Sequence, residues 1–334
     1  MRIVYLFLFL SFVGLLSAQK LDKINSKLDK LASWSDTNYV YTYPHKITIS
    51  STFYLRTNSF SIEDNKGEGK DIVYKPNTPM KLAISASYKW LSLGVAFKIP
   101  SYLNDKGNTE SFSLYLGTQT HYANWGLDFY LIKNKGYYLA NPEGLIDGWT
   151  DRQAYPFRSD LQTINIGLSS HIVLSRKLSL KAALNQTEKQ LKSAGGFALQ
   201  TGIDFSNLQS DSTLIPISQQ QHYSSATLFR QGGYLSINLR PGYAYTYVYK
   251  DFYTTTFALV GVGFQVQTYQ ISEDRSWGAQ IMPQFRFQQV IGYNSENAFI
   301  KLMFVYSVYS YKVQRLKLNN NFMLISLGGG LRFN

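Results

Sequence analysis

Ser169 and His171 stand two residues apart in the stretch "TINIGLSSHIVLS". On an extended strand such positions share a face and lie about 6 to 7 Å apart. With an acid such as Asp204 brought in by a neighbouring strand, the three would suit a serine hydrolase acting on membrane lipid, with histidine as base and the carboxylate holding its tautomer. The spacing is too long for a direct hydrogen bond without help from the side chains, and serine recurs on every face of this kind in the chain. The trio therefore stands as an alternative, with no other catalytic group expected. Metal and cofactor chemistry finds no foothold. The chain has no cysteine and four histidines, at 45, 121, 171 and 222, without ligand spacing. Its glycine clusters sit inside strand patterns rather than phosphate loops.

A second set of residues matters through charge. The chain carries +12, falling to +11 if a leader containing Arg2 is removed. In an exported protein such a balance points to anionic lipid and solutes, not to nucleic acid. On the polar faces of the strands described next fall Arg56, Lys98, Lys181, Arg240, Arg286, Lys301 and Arg332, against Asp128 and Asp204. In a narrow pore that surplus would favour anions.

The elements that must position these residues are strands. From residue 46 the pattern has period two. "KITISSTFYLR" sets Ile47, Ile49, Phe53 and Leu55 against Thr48, Ser50, Thr52, Tyr54 and Arg56, and "AQIMPQFRFQ" sets Ile281, Phe285 and Phe287 against Gln280, Gln284, Arg286 and Gln288. Many of the runs are longer than the five or six residues usual in soluble strands, and a membrane-crossing strand needs about 9 to 11. Their polar faces are rich in Ser, Thr, Gln, Asn, Gly and Tyr, and the 26 tyrosines bunch near strand ends, as in the aromatic girdles of spanning barrels. The fold predicted is all-β: a single antiparallel transmembrane barrel over residues 44–334, with an even number of strands between 12 and 14. Between residues 178 and 245 the alternation of short and long connections breaks. Either "HYSSATLFRQ" is an extra strand, or a run there lies outside the wall. The final run "FMLISLGGGLRFN" is expected to pair with the first and remove both open edges, which lipid does not tolerate.

Ahead of the barrel, residues 1–18 have the positive start, apolar centre and small-residue exit of a cleaved signal peptide. Residues 19–43 hold a short amphipathic helix on which Leu21, Ile24, Leu28 and Leu31 share a face, a periplasmic segment that would dock or plug. The long connection 133–160, with Tyr137, Tyr138, Trp149, Tyr155 and Phe157, is either a docking loop for a partner or glycan or a self-packed lid.

Five segments in order, "DTNYVYTYPHKITI" at 36–49, "YKPNTPMKLAISASYKWLSLGVAFKIP" at 74–100, "EKQLKSAGGFALQTG" at 188–202, "SDSTLIP" at 210–216 and "PGYAYTYVYKDFY" at 241–253, resemble the family called domain of unknown function 4421 of Gram-negative bacteria. The resemblance implies an exported barrel of the outer membrane and no activity. Its aromatic-ended last strand resembles the signal read by the barrel-assembly machinery, though Asn334 follows the aromatic residue. The expected partners are that machinery and the outer-membrane lipid and lipopolysaccharide. The expected function is a pore or passive channel with a basic lumen for small anionic or polar solutes. Its alternatives are a filled barrel that binds through its outer loops, and the lipid hydrolase.

Overall fold

The computed structural model describes residues 35–43, 46–64, 69–78, 80–88, 91–99, 106–119, 124–223 and 225–333. The expected signal peptide and the helix carrying Leu21, Ile24, Leu28 and Leu31 lie outside them. In chain order come β1 (Val40–Thr42), β2 (Ile47–Asp64), β3 (Ile72–Lys75), β4 (Lys81–Tyr88), β5 (Leu91–Lys98), β6 (Glu110–Gln119), β7 (Gly126–Leu139) and β8 (Phe157–Leu174). There follow helix α1 (Leu180–Leu184), β9 (Glu188–Gln190), β10 (Ala194–Gln209), a turn of 3-10 helix (Ile217–His222), β11 (Phe229–Tyr249), β12 (Phe252–Ile271), β13 (Asp274–Asn294), β14 (Ala298–Val313) and β15 (Leu316–Phe333).

The last strand does close onto the first. β15 runs antiparallel to β2 from Leu316 opposite Asp64 to Phe333 opposite Ile47, so neither edge is left open. The closed ring has ten strands: β2, β3, β7, β8 and β10 to β15. β4, β5 and β6 are an added lobe that takes the place of β3 on the half of the barrel nearest Ile47 and Phe333. The expected wall of 12 to 14 strands is corrected to this ring and lobe. That half is called the near end, the side that the short-turn rule assigns to the periplasm.

Alternation sorts the faces as the sequence pattern requires. Ile47, Ile49, Phe53 and Leu55 are exposed on the outer surface while Thr48 is buried, and Ile281 and Val260 are outward at 68% and 64% exposure. A contiguous apolar belt of this kind belongs against lipid. Among the described residues no helix is long and apolar enough to cross a membrane, which says nothing of a β-barrel.

The break in the pattern between 178 and 245 has two causes. Residues 180–190 are not in the wall. They form α1 and β9, which fold into the near end of the lumen, with β9 paired to β1 (Val40 opposite Gln190). "HYSSATLFRQ" is no strand of its own but the end of a loop running into Phe229. Lys181, expected on a lumen-facing strand, lies on α1 instead.

Two prolines show how the tall strands tolerate a missing N–H. Pro283 sits where the β13–β14 ladder stops: pairing starts at Gln284 opposite Tyr309, and residues 274–283 pair only with β12. At Pro241 the β11–β12 ladder skips from Leu239–Val262 to Gly242–Leu259. Gly242 and Gly261 lie there against the carbonyls of Ala258 and Leu239, an approach that leaves no room for a Cβ.

Candidate functional site: the lumen cavity

Both ends of the lumen are filled. At the far end, inward residues of the wall meet residues of the two long loops in one apolar core, including Ile62, Ile72, Leu145, Leu214, Phe229 and Leu316, each fully buried. Leu214 and Ile215 enter it from the "SDSTLIP" segment, and Tyr74 Oη donates to the Leu214 carbonyl at 2.8 Å. The connection expected over 133–160 is shorter, since 133–139 belong to β7 and 157–160 to β8. Its aromatics pack onto each other: Tyr155 meets Tyr138 and Trp149 at ring distances of 5.5 and 5.4 Å, and Tyr137 is buried against Phe60.

At the near end α1 is the stopper. Ser179 caps it, accepting from Ala182 N at 3.0 Å, and Leu178 and Leu180 pack on Val173, Ala194, Ala198 and Phe257 of the wall. Arg332 is its latch. Its Nε and Nη2 donate to the Gln186 carbonyl at 2.9 and 2.7 Å, Nη1 to the Ser295 carbonyl at 2.7 Å and Nη2 to Asn294 Oδ1 at 2.6 Å. The guanidinium also lies 4.3 Å from the Tyr43 ring centre. Lys301 Nζ donates to the Leu184 carbonyl. Lys181 is buried with no partner for its Nζ, and burial pushes its pKa down to about 8 despite the nearby Glu188 carboxylate. A charge in that position costs stability unless paired.

Between the two stoppers lies a cavity of about 430 Å³, inside the usual range for small-molecule sites. Its walls differ. On the side of β12 to β15 an apolar cluster of Phe257, Val290, Met303, Val305, Phe322 and Leu324 lies over a floor of Leu180 and Leu184, with Arg286 and Gln288 of β13 and Tyr309 of β14 beside it. On the side of β7, β8, β10 and β11 the cavity is polar. There His171 Nδ1 lies 3.1 Å from Asp128 Oδ2, and Asp204 accepts from Tyr130 Oη at 2.7 Å and from Asn238 Nδ2. From β11, Arg240 Nη1 donates across the lumen to Tyr309 Oη of β14 at 3.0 Å, and on β13 Arg286 Nη2 reaches Gln288 Oε1 at 3.5 Å. Arg56 lies over the Tyr115 ring, 4.0 Å from its centre. All three arginines keep a buried Nε with no acceptor, and Gln200 Oε1 has no donor. Buried N–H groups in this state call for a partner.

The expected lumen charges therefore divide by role. Arg56, Arg240, Arg286, Asp128 and Asp204 line the cavity. Lys301 and Arg332 are spent on the stopper, and Lys181 belongs to it. Lys98 lies on β5, its side chain outside those described. The proposed trio is corrected in its acid: His171 is held by Asp128 on β7, while Asp204 is engaged by Tyr130 and Asn238. Ser169 Oγ takes a long bond from Gln200 Nε2 at 3.4 Å, and Ser169, His171 and Asp128 share the polar wall.

The apolar wall was not foreseen, although it has a sequence signal. "KLMFVYSV" at 301–308 and "FMLISL" at 322–327 put apolar residues on both faces, the pattern of strands buried on both sides.

A family model described as domain of unknown function (DUF4421) matches residues 34–333. Curated proteins give no match. Among solved structures the chain is similar to the outer membrane protease OmpT from Escherichia coli, with 11% identity, a TM-score of 0.40 and coverage of 87% of this chain and 98% of that one. For the translocator domain of the autotransporter NalP from Neisseria meningitidis the values are 12%, 0.32, 95% and 97%. For Ail of Yersinia pestis with a heparin analogue they are 9%, 0.26, 86% and 99%.

Proposed function

The chain belongs to the DUF4421 family, and from the lumen geometry we propose that it is an outer-membrane barrel that takes up a small amphipathic molecule, apolar in body and anionic at one end, as the resting state of a gated passage. One observation carries this: the cavity between the stoppers sets an apolar cluster of β12 to β15 beside three arginines, Arg56 of β2, Arg240 of β11 and Arg286 of β13, whose Nε groups lack acceptors. A purely polar solute would leave the apolar wall unmatched, and a neutral hydrocarbon would leave the guanidinium groups unpaired. With both ends filled by the chain itself, an open porin is the weaker fit.

Equilibrium binding to the refolded barrel tests this, with dodecanoate compared against dodecanol. The carboxylate is expected to bind about tenfold or more tightly, and Arg240→Met with Arg286→Met to erase the difference, in line with charge-assisted bonds of more than 1 kcal/mol each. Absence of binding by either compound, or steady ion conductance by the unaltered protein, would sink the proposal. The Asp128–His171 pair is the one feature that favours a lipid hydrolase, since it supplies an oriented base. Unchanged membrane lipid profiles in Ser169→Ala and His171→Ala strains would remove that alternative.

A further inference from the structure

Among the described residues the wall is sparsely laddered at β3–β7, along the upper part of β13–β14 and, in the lobe, at β5–β6. Neighbouring strands of the lobe and its flanks are laddered along their lengths: β4 with β5 from Lys81–Lys98 to Tyr88–Leu91, and β6 with β7 from Glu110–Lys135 to Gln119–Gly126. Between β5 and β6 only Leu91–Thr118 and Ser92–Gly117 pair. Above them β5 from 93 to 98 and β6 from 110 to 116 face each other with no backbone ladder, although the register would set Val95 opposite Leu114. Unpaired strand edges in a lipid-facing wall are costly, and in the lobe this is the join that opens at least expense.

The cavity reaches the same place. Successive residues of a strand point to opposite faces, and inward Tyr115 of β6 lines the cavity together with its cross-strand neighbour Tyr130. So does the next pair along the ladder, Leu116 and Phe129, which belongs to the outer face with Phe112 and Leu114. Phe112, Leu114 and Leu116 are all exposed, as are Val95 and Phe97 of β5. The cavity thus reaches β6, the strand that forms one side of the unladdered join. Arg56 lies over Tyr115 there, and Lys81 Nζ donates to Ser113 Oγ at 2.9 Å across the base of the lobe. A cationic rim at an apolar opening suits a molecule that enters tail within the bilayer and head toward the arginine.

We infer that the gap between β5 and β6 is a lateral port, through which the cavity exchanges a membrane-partitioned amphiphile, such as a fatty-acid-like carboxylate, with the lipid phase. This rests on the proposed amphiphile-holding function and adds the source of the ligand and its route. Neither filled end of the barrel then needs to open for loading.

The absence of cysteine makes a decisive test simple. The double variant Val95→Cys with Leu114→Cys, reconstituted in phosphatidylcholine vesicles preloaded with labelled dodecanoate, is closed by oxidation or a short bismaleimide and then reopened with reductant in the oxidised case. Closure is expected to slow loading of the barrel about tenfold or more, with recovery on reduction, because the ladders on either side of the port, β4–β5 and β6–β7, are continuous. Val260→Cys with Phe285→Cys, outward partners on the intact β12–β13 ladder, should load at the unaltered rate in both states. A bulky maleimide on the single variant Leu116→Cys should block loading in the same way, and reports even if the two cysteines fail to join. Loading at an unchanged rate after both treatments overturns the lateral port and leaves amphiphile binding intact, with the aqueous ends as the route. Failure of the untreated protein to take up dodecanoate at all strikes the amphiphile-holding function itself.

Discussion

Arg332 shows how one side chain can serve the fold rather than the traffic. Three oxygen acceptors, the Gln186 and Ser295 carbonyls and Asn294 Oδ1, converge on its guanidinium, a geometry that lysine's single ammonium cannot reproduce. Arg332→Met is expected to lower unfolding free energy by about 2 to 4 kcal/mol, and Arg332→Lys to recover only part of it, as read from the urea midpoint at constant slope. Lys181 makes the opposite contribution. Its pKa in the fold is pushed down to about 8 from the ordinary 10.5, so the folded state holds the proton less well than the unfolded chain. Stability from this group therefore rises as pH climbs through the window from about 8 to 10.5, and the penalty is complete below it. The gain across the window is on the order of 3 kcal/mol. Lys181→Met should abolish that slope and raise stability at neutral pH. An identical pH slope in the variant would show that Lys181 does not titrate inside the stopper.

At the scale of the element, the stopper and the tall strands make separate demands. Helix α1 has five residues, too few to be stable alone, so its position depends on the Ser179 cap, on Leu178 and Leu180 in the wall, and on the latch. Ser179→Ala removes the cap and should cost about 1 kcal/mol, with faster hydrogen exchange at Ala182 and Gln186 and little change in the strands. The β11–β12 crossing at Pro241 is less forgiving. A Cβ at Gly261 would meet the Leu239 carbonyl, which is backbone and cannot step aside. Gly261→Ala is expected to destabilise by about 2 kcal/mol or more, whereas Gly148→Ala, with open space around it, tests only the strain of its positive φ and should cost less.

For the molecule as a whole, the ring of strands and the two stoppers give a barrel that is closed in cross-section and plugged at both ends around an inner cavity. The refolded protein should run faster before heating than after on a detergent gel, as closed barrels resist unfolding, and should conduct little in a planar bilayer. Replacing residues 178–190 by a short glycine-serine linker should raise conductance about tenfold or more with a preference for anions, because Arg56, Arg240 and Arg286 would then line an open lumen. A stopperless barrel that still does not conduct would place the main obstruction in the far-end core around Ile62, Leu214 and Phe229.

Period-two alternation, strand length and the terminal pairing were determined by the sequence alone, because in lipid every strand must sort its faces and every edge must be satisfied locally. Ile47 to Leu55, Ile281 to Phe287 and the β2–β15 closure follow from that requirement without knowledge of any distant contact. Tertiary structure decided what the inward face is for. Lys181, Lys301 and Arg332 look from the sequence like three more positive charges in a pore. Only the folding of 178–190 back into the lumen turns two of them into donors for backbone carbonyls and leaves the third unpaired. Likewise Asp128 and Asp204 are equivalent in the sequence, and only register and barrel closure set one against His171 and the other between Tyr130 and Asn238. Alternation reports which side of the wall a residue faces, while the identity of its partner across the lumen depends on strand order, closure and the inserted segment, none of which has a local signature.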